Sequence, residues 1–95
     1  MEEKELQLRI RFAIAKCRNI VYYWEIDERE RKRYLHVLRS YRKQLIEIIN
    51  QLPDGNKYKE LFLNIVRTIP PKVKTDQCGE VIENLKPFIV NYEQF

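Results

Sequence analysis

Leu6, Ile10, Ala13, Cys17, Ile20 and Trp24 follow one another at spacings of four, three, four, three and four residues. Such a seam keeps one side of a helix apolar over several turns. It predicts a first helix over Glu3–Trp24 that packs lengthwise against other helices. Ala13, Ala15 and Lys16 also favour helix. The rival is a strand over Leu6–Ile14, on the alternation Leu6, Leu8, Ile10, Phe12, Ile14. No second strand-like run lies nearby to pair with it, and an unpaired strand is not stable.

Asp27 is placed as an N-cap, with Glu30 completing a capping box, so a second helix is expected from Glu28 to about Gln51. Its core face is Leu35, Leu38, Tyr41, Leu45, Ile48, Ile49 and Leu52, with Tyr34 beside it. Pro53, Asp54, Gly55 and Asn56 form a turn by residue type. A third helix over about Lys57–Thr68 buries Tyr58, Leu61, Phe62, Ile65, Val66 and Ile69, and Pro70-Pro71 ends it. Thr75 or Asp76 caps a fourth helix carrying Cys78, Val81, Ile82, Leu85, Phe88, Ile89 and Tyr92. Pro87 falls inside that pattern without changing its phase, which predicts a kink or a short break.

Four amphipathic helices with short connections specify an all-α, antiparallel four-helix bundle. The chain has 95 residues, two glycines and four prolines, which suits one helical domain over 1–95 rather than a turn-rich β protein.

A helix of such a bundle needs one apolar stripe. Advancing about 100° per residue from Cys17 gathers the seam on one side of helix 1 and puts Leu8, Phe12, Ala15, Tyr22 and Tyr23 on the other. Arg9, Arg11, Lys16 and Arg18 lie between the two faces. A second stripe with two tyrosines and a phenylalanine is the pattern of a binding surface. The expected interface is therefore Leu8, Phe12, Ala15, Tyr22 and Tyr23 with Arg11 and Arg18 at its edge. Homodimerisation is its simplest form. Three alternatives stand beside it: a central helix 1 wrapped by the others, coverage by long basic stems, and tyrosines that only close the bundle end.

The net charge is +4, and it is uneven: between Arg9 and Lys43 there are 11 Lys/Arg against 4 Asp/Glu. On helix 2, Arg29, Lys32, Arg33, His36, Arg39 and Lys43 fall on the side away from the core. That row suits phosphates or an acidic protein surface, and nucleic-acid binding is the alternative function. The bland reading is a solvated helix face, with Glu25–Arg29 and Glu28–Lys32 pairing four residues apart. Arg31 and Arg42 point toward the apolar side, where snorkelling is expected.

Catalysis is not expected. His36 is the only histidine and has no acid at a helical neighbour position to orient it. Cys17 lies in the core seam. Cys78 opens helix 4, where a thiol can be acidified, and is the more reactive candidate, although no base accompanies it. No spacing suits a metal, and no cofactor or small-molecule substrate is implied. The opening residues lack a secretory pattern and no apolar run is long enough for a membrane span, so a cytoplasmic protein with reduced thiols is expected. The reading is a small non-catalytic interaction module: an adaptor, inhibitor or assembly subunit.

Overall fold

The computed structural model describes residues 2–90. Four helices follow in order: α1 (Glu3–Ile26), α2 (Tyr34–Ile49), α3 (Lys57–Thr68) and α4 (Cys78–Val90). Short 3-10 turns, Glu28–Arg33 and Thr75–Gln77, lead into α2 and α4, and no strand occurs among the described residues. α1 packs against α2 and α4, and α3 packs against the same two helices from the other side. The result is the antiparallel bundle that the periodicities specify. Tyr92 lies outside the described residues.

The inner seam of α1 is buried at Ile10, Ala13, Cys17 and Ile20, together with Ile14 and Val21. It meets Leu38, Tyr41 and Leu45 of α2, Phe62 and Ile65 of α3, and Ile82 and Leu85 of α4 in one core cluster. The Tyr41 hydroxyl donates to the Ala13 carbonyl at 2.6 Å, a buried tie between α2 and α1. Leu35, Tyr58 and Val66, expected in the core, are only half-buried at its margin, while Tyr34 is buried.

α2 begins later than its pattern suggests. Asp27 does cap, accepting from the Arg29 amide at 3.1 Å, but the segment it starts is a 3-10 turn. Its sequence, ERERKR, buries no residue, so no apolar stripe holds it to α-helical geometry. An α-helix would also stack Arg29 over Arg33 as a like-charge pair. The expected capping box is not formed by the Glu30 carboxylate, which instead pairs with Arg33 at 2.8 Å. Nor do Glu25 and Arg29 pair, because the helix ends between them. Glu25 takes Lys86 of α4 at 2.6 Å.

Arginines on the second helical segment satisfy carbonyls of other elements. Arg31 donates through Nε to the Trp24 carbonyl at 2.9 Å and lays its guanidinium 4.7 Å over the Trp24 ring. Trp24 in turn meets Tyr34 edge-on at 5.1 Å. Arg42 donates to the Ile69 carbonyl at 2.9 Å and Arg39 to the Val73 carbonyl at 3.0 Å. These two bonds hold the Pro70-Pro71 connection, whose backbone has no helical partner, and seat Val73 in the core.

The remaining ends follow local rules. Gly55 has a φ of +85° in the turn before α3, and the Asn56 side chain caps α3 by accepting from Tyr58 and Lys59. At α4 the expected Thr75 or Asp76 cap is replaced. Gln77 reaches back to the Lys74 amide at 2.9 Å, which makes Lys74 the first residue of that start. α4 continues through Pro87 without a break.

Candidate functional site

The largest feature that the core does not consume is the outward side of α1. Leu8 is 50% exposed, Phe12 68%, Tyr22 57%, Tyr23 50% and Ile26 57%. Among the described residues these are the large hydrophobics that remain exposed, and all five stand on one helix. Ala15 is half-buried and Asn19 exposed between them. Among the described residues the bundle does not wrap α1, so they do not give this helix a central position.

The outer positions have an order of their own. Leu8, Phe12, Ala15, Asn19, Tyr22 and Ile26 recur at the four-three-four-three-four spacing of the inner seam. α1 is thus a helix with two heptad seams on opposite sides, and the bundle fills one. Ile26 is the member that sequence reasoning missed. It falls at the same helical angle as Leu8, but only because α1 runs two residues beyond Trp24. Tyr22 and Tyr23 pack edge-on at 5.3 Å, forming one aromatic end, and Leu8 with Phe12 forms the other.

Basic residues border the seam. Arg11 is exposed and Arg18 half-buried on the α4 side. Arg9 and Lys16 stand on the α2 side, Arg9 with Glu5 at 3.5 Å and Lys16 with the Gln44 side-chain oxygen at 3.3 Å. Open furrows run beside the ridge. Two of about 230 and 370 Å³ lie between α1 and the second helical segment, touching Phe12 and Tyr23 respectively. A third of about 380 Å³ lies toward α4, between Tyr22 and Ile89. By contrast, the crevice beside Cys17, Leu61 and Ile65 measures about 10 Å³, room for roughly one water.

Of the basic row expected on helix 2, Arg29, Lys32 and Arg33 stand on the 3-10 turn and His36, Arg39 and Lys43 on α2. Arg33 is held by Glu30 and Arg39 by the Val73 carbonyl. Arg29, Lys32, His36 and Lys43 are exposed.

Both thiols are free and buried. Burial pushes Cys17 up to about 11, against smaller lowering effects from the Tyr41 hydroxyl and Arg18. Cys78 corrects the expectation of an acidified first-turn thiol: burial raises it, outweighing Arg39, and its Sγ lies 3.6 Å from the Lys74 carbonyl. The helix start brings no net gain because the side chain points into the core rather than along the open amides. Among the described residues no helix is long and apolar enough to cross a membrane. No protein-family model matches the chain, and no curated protein or solved structure matches it either.

Proposed function

We propose that this chain is a non-catalytic protein–protein interaction module that binds through the outer face of α1. The observation that carries the reading is the confinement of every exposed large hydrophobic among the described residues to that one face. Half-exposed aromatic rings leave roughly 300–400 Å² of ring surface in water, taking the usual area of such side chains. With Leu8 and Ile26 the patch reaches the size that soluble proteins keep for binding. Arg11 and Arg18 at its rim supply charge, and the role is that of an adaptor, inhibitor or assembly subunit. Free Cys17 and Cys78 suit a reducing, intracellular setting. A nucleic-acid role for the α2 side is the weaker reading, because Arg33 and Arg39 already have partners in the chain.

Site-specific photo-crosslinking in cells tests this. A crosslinker at Ala15 should trap a discrete protein, one at Lys43 should not, and Phe12→Asp should abolish the Ala15 product. Crosslinks to nucleic acid at Lys43 with none at Ala15 would overturn the proposal in favour of the α2 side.

A further inference from the structure

We infer that the occupant of this face is an amphipathic helix of a different chain, one whose apolar heptad seam is flanked by Asp and Glu, and not a second copy of this protein. The inference rests on the reading of α1's outer face as an interaction surface and adds the partner's chemistry.

The spacing decides the shape of the partner. An apolar seam with heptad spacing is complementary to another helix lying along it, since each side chain enters a hole between four residues of the facing helix. From Leu8 to Ile26 the seam is about 27 Å long, five turns at the helical rise. It matches a partner helix of about 18–20 residues. Its middle is narrow, because Ala15 and Asn19 lie between the bulky ends. The partner therefore carries a large apolar residue opposite Ala15 and a polar one opposite Asn19. A polar residue at one seam position fixes register at some cost in affinity.

The flanks decide the charge of the partner. In heptad terms Phe12, Asn19 and Ile26 occupy the first core position, and Leu8, Ala15 and Tyr22 the second. The flanking positions are then Arg9, Lys16 and Tyr23 on one side and Lys4, Arg11, Arg18 and Glu25 on the other. Of the carboxylates beside this face, Glu5, Glu25 and Glu30 are already paired with Arg9, Lys86 and Arg33, while Glu47 of α2 lines the furrow next to Phe12 and Lys16. Among the described residues neither Arg11 nor Lys16 pairs with a carboxylate.

A second copy fits this badly. In a parallel pair, Lys4 would face Arg9 of the second copy, and Arg11 would face Lys16. In the antiparallel register that overlaps the whole seam, Phe12 faces Tyr22 and Leu8 faces Ile26, which is good packing. The two-fold axis then sets Lys16 against Lys16 and Arg18 against Arg18. Arg11 alone gains a carboxylate, Glu25, which Lys86 already holds. Like charges brought together at an interface strongly disfavour it, whereas Glu or Asp at those partner positions would complement both rims.

Titration of the full-length chain with two synthetic helical peptides tests the inference. Both have three heptads with the same Leu/Ile seam and one Asn. One carries Glu at every flanking position, the other Lys. We expect the Glu peptide to bind roughly tenfold or more tightly than the Lys peptide at low salt, the gap narrowing as salt screens the rims. Phe12→Asp should abolish binding of both, and Arg11→Glu with Lys16→Glu should reverse the preference. Sedimentation of the chain alone should show a monomer at the same concentrations. A stable dimer that Phe12→Asp dissociates would overturn the inference and leave the face as an interaction site. Equal affinity for the two peptides would overturn the charge assignment alone. No binding of either peptide would overturn a helical partner, while the Ala15 crosslink separately decides whether the face binds protein at all.

Discussion

Tyr41 and Cys17 are the residues whose chemistry the fold alters most. Tyr41 is fully buried, and desolvation raises its hydroxyl well above the ordinary range, with the neighbouring Cys17 adding to the effect. Cys17 is raised to about 11 for the same first reason. Both groups are neutral in the folded chain and ionise more readily once unfolded. Their contribution to stability is therefore intact at neutral pH, begins to fall near the ordinary thiol value of 9.0, and for Cys17 is lost through about 11. Thermal melts should be flat through neutral pH and drop on the alkaline side, with a shallower drop in Cys17→Ala. At the same scale, Arg42→Met removes the donor to the Ile69 carbonyl and should destabilise the chain by about 1–2 kcal/mol in urea unfolding. Charge reversal at Arg39 would disturb Val73 in the same way, so a test of nucleic-acid binding belongs at Lys32 and Lys43.

At the scale of elements, periodicity carried most of the information. α1 and α3 could be read from apolar spacing because their buried positions repeat every three or four residues, and the Gly55 turn from its residue types. The departures lie where one element uses another's atoms. ERERKR follows a helix-start signal at Asp27, yet it forms a 3-10 turn that buries none of its residues and whose Arg31 reaches the Trp24 carbonyl of α1. Val73 was unreadable as core for a related reason. It is an isolated valine between lysines, with no period to mark it, and the connection holding it is tied down by arginines more than 25 residues away in sequence. The turn gives a clean check. Ala at position 55 would have to adopt the left-handed region that glycine tolerates, so Gly55→Ala should cost roughly 1–2 kcal/mol by chemical denaturation.

For the molecule as a whole, the two-sided character of α1 separates the face that folds the chain from the face proposed to bind a partner. The inner seam builds the core, and the outer one is open. Phe12→Asp and Tyr22→Asp should accordingly leave circular dichroism unchanged and shift stability by no more than about 0.5 kcal/mol, as expected for exposed positions. A large loss of stability would mean that the outer seam supports the fold. Helical angles taken from the sequence were enough to find this face, because burial on one side of a regular helix leaves the other side fixed. They did not find Ile26, which depends on where α1 stops. They also could not show that both arginines of α2, Arg39 and Arg42, donate to carbonyls of the α3–α4 connection.

The chain's one tryptophan sits at the closed corner of the bundle. Trp24 lies beneath Arg31 and against Tyr34, and a methyl group placed on Gly79 of α4 would stand 3.4 Å from its ring. Its fluorescence is thus an intrinsic reporter of whether α1, α2 and α4 are closed on one another. Tyr22 and Tyr23, on the open side, are the chromophores that an incoming helix would cover. Binding of the proposed kind and unfolding would therefore carry different spectral signatures without any added label.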